Sequence, residues 1–550
     1  MRPDIAERGV TLTFGPGDSR PGGREFIARY QGLVVIPCEE CCPALIFLLK
    51  QSLTNPTLLV DLELKEKPIN RTQFYIAHQS REIGSAFPVF DEQGSLILGN
   101  NPRSEFYSFG GGYAGTACCQ LITDGETAFL VDCGISVGLL HRRHTNGSST
   151  SPLPDFDSLL KVIEERKLKL EGIFATHAHL DHIWAIYDLL QRLGRNDLIV
   201  YGHPFTTMFA SHLVERRQAD ANLDISQYYH LRIERLTPWQ EIRLGRFTIQ
   251  AFPVFHSIPG SVGFVIRPAD NRGSLVITGD YKARYNSPLD CLTFRKDLGM
   301  IGPVQLLVGD ATNAEIQGYT DLETAVIEGL INALREVRGQ AIISLISSNL
   351  ERLSAIYNIC RLMGKSMSIC GTSLERAVDV YRSAGSVMPR LSSSAPAESD
   401  VVVVTGCQGD PMSVLDRLSY GQSVQGVRLN PNNTRVIISS RAIPGREADV
   451  AEMIARIRGL GVEVFANESQ DASENHGMSD RRQHTTHVSG HGCSDDIFDT
   501  IEALRPEYYL PSHCNPSAKA AAAQIALDAS PNMTQSNIVL PNLTNYSVFW

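Results

Sequence analysis

The sequence has no long apolar run and no excess of positive charge. None of its 550 residues lies in a stretch of eighteen consecutive apolar residues, so we expect no membrane-spanning helix. Residues 1–8 carry no apolar signal core, which predicts a cytoplasmic location. Fifty Lys and Arg stand against sixty Asp and Glu, giving a net charge of −10. A nucleic-acid partner would therefore have to meet a local basic groove.

Cysteine is present, but its spacing does not indicate a disulfide framework. The twelve cysteines are scattered between residues 38 and 514, unlike the dense pattern of a small secreted domain. Cys38 and Cys41 form a CxxC, but a structural zinc knuckle needs a second close pair, and the next cysteines are the distant Cys118 and Cys119. We therefore expect ordinary small buried residues at the CxxC rather than a metal or redox site.

Three histidines and one aspartate fall within the six-residue segment 177–182. The segment follows the apolar run 172–175 and precedes apolar positions at helical spacing, which predicts a buried strand, a tight turn and a helix. Side chains at the carboxyl end of a strand are where α/β sheets build their sites, and imidazole with carboxylate suits zinc. A solvated turn is the alternative, but burying so many polar groups without a partner is costly. The four candidate ligands are His177, His179, Asp181 and His182.

Other predicted strands also deliver metal-capable residues near their carboxyl ends. These residues are Asp132, His256, Asp280 and Asp310. Asp310 precedes Ala-Thr-Asn, so a helix N-cap is an alternative there. Residues 320–450 alternate helix and strand as in a compact βα domain, and more histidines follow it. Either two sites exist, or one domain is interrupted by an insertion and closes again at its C-terminus.

These motifs resemble the metallo-β-lactamase superfamily and, more narrowly, its β-CASP nucleases of the ribonuclease J family. The signature of the superfamily matches His177-x-His179-x-Asp181-His182, and the other metal-capable residues follow in the expected order. The resemblance covers roughly residues 107–520. The supporting strings lie at 255–259, 278–282, 309–315, 406–412, 439–445 and 487–492.

The resemblance implies an α/β fold, a metallo-β-lactamase αββα sandwich with an inserted β-CASP α/β domain and an extra N-terminal region. We expect an N-terminal extension of unknown role at 1–105, ending near the turn-rich segment 99–103. The metallo-β-lactamase domain would occupy 106–318, the β-CASP domain 319–450 and the C-terminal return of the first domain 451–550.

The resemblance also implies two zinc ions, with manganese as an alternative, and a hydroxide between them. The expected ligands are His177, His179 and His256 for one ion, Asp181, His182 and His513 for the other, and Asp280 as the bridge. Asp132 would orient a ligand histidine through its other ring nitrogen, with a strand-end turn residue as the alternative.

For catalysis, the resemblance implies that Asp181, His491 and Asp310 are the catalytic residues and that His491 is the general acid. Asp310 would hydrogen-bond His491 and keep it protonated near neutral pH. Contacts with substrate phosphate are expected at His487, Ser489, Gly490, Ser347 and Ser373. The pair Arg481 and Arg482 is expected either to touch the substrate backbone or to be a solvated surface pair.

The expected function is a zinc-dependent ribonuclease that acts on single-stranded RNA as a 5′–3′ exonuclease, an endonuclease or both. The alternatives are a single-stranded DNA nuclease, a hydrolase of small esters or lactones, and an inactive RNA-binding relative. The sequence departs from the family at Ile183-Trp184-Ala185, Ala283-Arg284 and His513-Cys514-Asn515. Because the sequence ends at Trp550, we also expect the dimerisation domain of ribonuclease J to be absent. These departures leave substrate choice, processivity and oligomeric state open.

Overall fold

A computed structural model of the chain forms two compact units, residues 1–84 and 85–550. The CxxC, the turn at 99–103 and Arg481–Arg482 lie outside the residues that it describes. The first unit contains a three-stranded antiparallel sheet of β1 (Phe26–Tyr30), β2 (Leu33–Val35) and β3 (Leu62–Leu64). The described residues are 26–30, 33–35, 62–64, 95–98, 104–111, 117–137, 151–221, 229–270, 273–335, 337, 339–386, 395–443, 446–466, 485–541 and 546–550.

Two mixed sheets form the centre of the second unit. The first has eight strands in the order β10-β9-β8-β7-β6-β5-β22-β4, and the second has six in the order β11-β12-β13-β14-β15-β21. The strands of the first sheet are β4 (Ser95–Ile97), β5 (Glu105–Ser108), β6 (Gln120–Thr123), β7 (Thr127–Val131), β8 (Lys169–Phe174), β9 (Ile199–Gly202), β10 (Arg232–Arg235) and β22 (Tyr546–Phe549). Those of the second are β11 (Glu241–Leu244), β12 (Phe247–Pro253), β13 (Val262–Pro268), β14 (Ser274–Ile277), β15 (Val304–Asp310) and β21 (Tyr508–Ser512).

Side-chain alternation along the strands explains why the two sheets stack. In β7, Phe129 and Val131 join an apolar cluster with Phe264 of the other sheet, whereas Ala128 and Leu130 face the outer helices. A strand that is buried on both faces has a continuous run of apolar residues. These strands could therefore be predicted from the sequence. Burying a side chain such as Phe129 completely contributes about 1.5–3 kcal/mol.

Helices cover the outer faces of both sheets. The helix predicted after the histidine turn is in fact two, because the amide of Ala185 donates to the carbonyl of Cys133 instead of continuing the first helix. The first sheet packs against α1 (Phe156–Glu165), α2 (Leu180–Ile183), α3 (Ile186–Leu193) and α4 (Pro204–Asp220). The second packs against α5 (Asp290–Gly299), α11 (Ser494–Leu504) and α12 (Pro516–Ala529).

A third sheet lies between β15 and β21 in the sequence and is wholly parallel, in the order β17-β18-β16-β19-β20. Its strands are β16 (Gln340–Ser344), β17 (Met367–Cys370), β18 (Val401–Val404), β19 (Thr434–Ile438) and β20 (Glu463–Phe465). Its helices are α6 (Glu323–Arg335), α7 (Leu350–Leu362) and α8 (Thr372–Ser383) on one face, and α9 (Val414–Ser419) and α10 (Glu447–Gly459) on the other. The predicted αββα sandwich with an inserted α/β domain is therefore confirmed.

The element boundaries suggest a refinement of the expected domains. Position 450 falls inside α10, and β20 belongs to the inserted sheet. Strand β4, within the expected extension 1–105, pairs with β22 in the first sheet. We propose that the extension ends near residue 84 and that the inserted domain continues to residue 465. Among the described residues, no helix is long and apolar enough to cross a bilayer.

Candidate metal centre and active site

The predicted site residues meet at one edge of the sandwich. Strands β7 and β8 run parallel in the first sheet, and β14, β15 and β21 run parallel in the second, so that their carboxyl ends lie at the same edge. The residues at or just beyond these ends are Asp132, His177, Asp280, Asp310 and His513. Asp132 and His513 adopt positive φ values of 60° and 55°, a strained backbone that is typical of functional sites.

One group of ligand atoms comes from three histidines. Nδ1 of His179 lies 3.0 Å from Nε2 of His177 and 3.1 Å from Nε2 of His256. Burial lowers the pKa of all three imidazoles, to about 4 for His179, so that the rings are neutral and offer lone pairs. A Zn–N bond of about 2.0–2.1 Å puts two tetrahedral nitrogen ligands roughly 3.3 Å apart. The spacing therefore fits a zinc-sized cation.

A second group lies beside the first. Oδ2 of Asp181 is 3.2 Å from Nε2 of His513 and 3.8 Å from Nε2 of His182. Burial raises the pKa of the Asp181 carboxyl, but the charges of the two histidines outweigh burial and lower it overall. Carboxylate and imidazole are again zinc ligands.

Asp280 lies between the two groups. Its Oδ2 is 3.3 Å from Nε2 of His182 and 3.6 Å from Nε2 of His177. The same oxygen is 3.8 Å from Nε2 of His256 and of His513. Ligand atoms of Asp280 lie within 4.8 Å of those of both groups, so this carboxylate could be shared by two bound cations.

The outer nitrogens of four rings are fixed by hydrogen bonds. Nδ1 of His182 donates to Asp132 at 2.7 Å, and Nδ1 of His256 donates to the carbonyl of Gly490 at 2.8 Å. Nδ1 of His177 lies 3.0 Å from the hydroxyl of Thr176, which itself donates to Asp132, and Nδ1 of His513 lies 2.9 Å from the hydroxyl of Thr312. Because Nδ1 donates these hydrogen bonds, Nε2 is the nitrogen of each ring that faces the centre and would bind a cation there. This donor set fits divalent metal ions.

His491 faces the same centre from the loop after the inserted domain. Its Nδ1 is 2.8 Å from Oδ2 of Asp310, and its Nε2 is 3.8 Å from Oδ2 of Asp280. Burial lowers the pKa of His491, but the charges of Asp310 and Asp280 outweigh it and raise the pKa to about 9. Asp310 ends β15 and accepts from the amide and hydroxyl of Thr312, so it closes a turn rather than capping a helix.

The remaining predicted contacts fall into two places. In the loop before α11, the Ser489 hydroxyl accepts from Asn313 at 2.9 Å, and Nδ1 of His487 accepts from Arg352 at 2.8 Å. Ser347 follows β16 and Ser373 is the second residue of α8, so both lie, half-buried, at the carboxyl edge of the inserted sheet. The predicted role of these residues, and of Gly490, in holding phosphate remains a prediction.

Four residues at the site escaped sequence reasoning. Thr176 and Thr312 bond to ligand histidines, Arg352 holds His487, and Cys118 has its Sγ 3.9 Å from Nε2 of His182. Thr176 directly precedes His177, and Thr312 lies two residues after Asp310. This closeness in the sequence could have indicated that both threonines lie at the site. Cys118 and Arg352 gave none, because each reaches the site only through long-range packing.

Comparison with known proteins agrees with this geometry. The family model of the metallo-β-lactamase superfamily matches residues 119–346, and that of the ribonuclease J β-CASP domain matches residues 338–457. Residues 119–346 therefore form a domain of the metallo-β-lactamase superfamily. The predicted assignment to this superfamily, and with it to metal-dependent hydrolases, is confirmed.

Most of the chain also aligns with known proteins. Ribonuclease J of Sinorhizobium meliloti is 27% identical over 414 residues, which cover 73% of this chain and 66% of that protein. Ribonuclease J of Mycolicibacterium smegmatis is 29% identical over 424 residues, covering 75% and 68%. The aligned part thus spans about two thirds of the length of these relatives. A solved protein of unknown function from Enterococcus faecalis V583 shares the fold, with a TM-score of 0.52 and 13% identity over 81% of this chain and 100% of that one.

Proposed function

We propose that the protein is a zinc-dependent ribonuclease that hydrolyses phosphodiester bonds of single-stranded RNA, as a 5′–3′ exonuclease, an endonuclease or both. The observation that carries the proposal is the pair His491 and Asp310, which stands beside the shared carboxylate of Asp280. Hydrolysis of a phosphodiester needs a proton donor for the leaving oxygen as well as a site that activates water. Both requirements meet within this one cluster.

The ligand groups supply the first requirement. Zinc ions bound by them would acidify a water molecule and neutralise charge on the phosphate. The protein's own part is to hold the ligands in place: Asp132, Thr176, Thr312 and the carbonyl of Gly490 each fix one imidazole through Nδ1. Asp280 offsets positive charge between the two groups, because its Oδ2 lies within 3.8 Å of Nε2 of ligands from both.

His491 supplies the second requirement. With Nδ1 bonded to Asp310, the proton on Nε2 points to the centre, where it is available to the 3′ oxygen that leaves the phosphate. Asp310 stabilises the imidazolium and sets the direction of the ring. The hydroxyl of Thr312 fixes Asp310 in turn, through a 2.6 Å hydrogen bond to Oδ1.

RNA is the favoured substrate because the relatives at 27% and 29% identity are both named ribonuclease J. The match of the inserted domain to a ribonuclease J β-CASP domain supports a polymer over a small ester or lactone. The carboxyl edge of its parallel sheet, with Ser347 and Ser373, is where such sheets bind ligands, and we assign the substrate's 5′ phosphate to it. An RNA substrate also agrees with the cytoplasmic location expected from the sequence.

The decisive experiment offers the purified full-length protein three substrates with zinc or manganese: 5′-monophosphorylated RNA, 5′-triphosphorylated RNA and single-stranded DNA. We expect cleavage of RNA, and the product lengths distinguish removal of single nucleotides from internal cuts. The double variant His177→Ala/Asp181→Ala serves as the control, because it removes one ligand from each group. Cleavage of DNA alone would replace RNA by DNA, and cleavage of none would refute a nuclease.

A further inference from the structure

Cys118 stands at the second ligand group without having been assigned to it. Its Sγ lies 3.9 Å from Nε2 of His182, and the ligand atoms of Cys118, His182 and His513 are all within 4.8 Å of one another. All three residues are buried. A Zn–S bond of about 2.3 Å and a Zn–N bond of about 2.0 Å put the two donors roughly 3.5 Å apart in a tetrahedral site, so the observed spacing suits two ligands of one ion.

The backbone holds Cys118 rigidly against the ligand loop. Its amide donates to the carbonyl of Asp181 at 2.9 Å, and its carbonyl accepts from the amide of Gly134 at 2.8 Å. A Cβ on Gly134 would lie 1.6 Å from the Asp181 carbonyl oxygen, so only glycine permits this approach. The thiol is therefore fixed relative to Asp181 and His182 by bonds that do not involve its side chain.

The surroundings of the thiol are not those of a cysteine that merely fills space. Cys118 is 3% exposed, yet it belongs to none of the four apolar clusters of the described residues. The next residue, Cys119, packs in the largest cluster with Leu121 and Leu130. Adjacent residues thus face opposite sides, and Cys118 faces the imidazoles.

A second observation indicates that a ligand or a water molecule binds at the same place. A cavity of about 20 Å³, enough for one water molecule, is lined by Cys118, Gln120, His182, Asp280 and His513. Gln120 is only 5% exposed, and its Oε1 has no hydrogen-bond partner among the described residues. Leaving a buried hydrogen-bond acceptor without a partner costs free energy. A polar ligand or a water molecule in the cavity would give the Gln120 oxygen a partner.

We propose that the thiolate of Cys118 is a further ligand of the metal ion held by Asp181, His182 and His513. The proposal rests on the metal centre of the proposed function. Coordination replaces the S–H bond by a bond from sulfur to the metal, and the proton leaves to solvent. Because thiolate is a soft ligand, it favours zinc over manganese at this position.

The test reconstitutes the full-length protein with cobalt(II) and records its absorption spectrum. We expect visible bands of bound cobalt together with a near-ultraviolet thiolate-to-cobalt charge-transfer band. The variant Cys118→Ala should lose the charge-transfer band, keep visible bands and bind zinc at least about tenfold more weakly at one site, with a smaller change for manganese. Cys119→Ala is the matched control, since it removes the neighbouring buried thiol, and it should keep the charge-transfer band.

The outcomes separate this inference from the proposed function. Wild-type protein that binds cobalt and cleaves RNA but shows no charge-transfer band would refute ligation by Cys118 and leave the nuclease intact. A band of unchanged intensity in Cys118→Ala would also refute it, and Cys118→Ser, which preserves size, repeats the measurement if the alanine variant does not fold. Wild-type protein that binds no cobalt would refute both ligation by Cys118 and the metal centre.

Discussion

Nδ1 of His491 lies 2.8 Å from Oδ2 of Asp310, although the two residues are 181 positions apart in the sequence. The carboxylate is held by the amide and hydroxyl of Thr312, so the imidazole is oriented by a group that is itself fixed. This arrangement stabilises the charged ring and leaves Nε2 directed at Asp280. The proton donor that we propose for catalysis would thus combine the loop after the inserted domain with the end of β15.

Replacing His491 with alanine should lower kcat for RNA cleavage by roughly 10²–10⁴-fold, because the leaving oxygen loses its proton donor. Metal content should stay at the wild-type value, since the seven expected ligands remain. Asp310→Asn should lower kcat less, because the ring survives but its orienting charge is gone. Steady-state kinetics with metal analysis checks both variants, and an unchanged kcat in His491→Ala would rule out its role as general acid.

Replacing Asp132 with asparagine should weaken zinc binding by about 10–100-fold, because His182 loses the carboxylate that fixes its Nδ1 proton. Competition with a chromogenic chelator measures this affinity. Asp157→Asn is the control, because that carboxylate lies on the exposed surface of α1 with 87% of its side chain accessible. Equal zinc affinity in the Asp132 variant and the control would mean that Asp132 only closes the turn after β7.

The sequence revealed the parts of this molecule whose information is local. The turn from His177 to His182 was visible because an apolar strand precedes it and its ligands are adjacent. The strands ending before Asp132 and Asp280 were visible because burial on both faces produces continuous apolar runs. The distances between Asp280 and the histidines of both groups follow from the stacking of the two sheets, which brings the ends of those strands to the same edge.

Other parts depend on packing that leaves no pattern in the sequence. The partner of His256 is the backbone carbonyl of Gly490, and a carbonyl is common to every residue. The break between α2 and α3 arises because the Cys133 carbonyl captures the amide of Ala185. Cys118 is one of two adjacent cysteines whose side chains point to opposite sides of the extended chain. The sequence does not tell which of the two faces the histidines.

Arg441→Ala should raise KM for RNA several-fold and leave kcat nearly unchanged. Arg441 is exposed just beyond β19. Burial lowers the pKa of His487 most, and the positive charges of Arg352, Lys282 and then Arg441 lower it further. A cation there suits a backbone phosphate, so the slope of log affinity against log salt should fall by about 1. Arg246→Ala, an exposed arginine in the turn between β11 and β12, is the control. Identical salt slopes in both variants would contradict a phosphate contact.

Chelation should lower Tm, and added zinc should restore it. The buried carboxylates of Asp132, Asp280 and Asp310 line the cavity at the site, where bound cations would offset their charge. At a free zinc concentration of 100 times Kd, binding stabilises the folded state by about 2.7 kcal/mol per ion. Differential scanning calorimetry measures the shift. The variant His177→Ala/Asp181→Ala should respond much less, and an equal response there would place the stabilising metal elsewhere.

The last prediction concerns the buried ion pair of Arg352 and Glu323. The guanidinium donates to both oxygens of Glu323 at 2.7 and 2.8 Å, and their side chains are only 1% and 8% exposed. Arg352→Met should lower the free energy of unfolding by about 3–5 kcal/mol, because a buried carboxylate loses its main partner. Lys282, 3.5 Å from Glu323, compensates in part and favours the lower end of this range.

Urea titrations measure the free energy of unfolding of these variants and compare the buried ion pair with an exposed one. Arg195→Ala breaks the exposed pair with Asp197 and should cost at most about 1 kcal/mol. Arg352→Met/Glu323→Leu should be less destabilised than Arg352→Met alone, because no unpaired carboxylate then remains buried. Since Arg352 also donates to His487, both Arg352 variants should bind RNA more weakly than wild type. A double variant at least as unstable as Arg352→Met would show that packing, and not the buried charge, sets the cost.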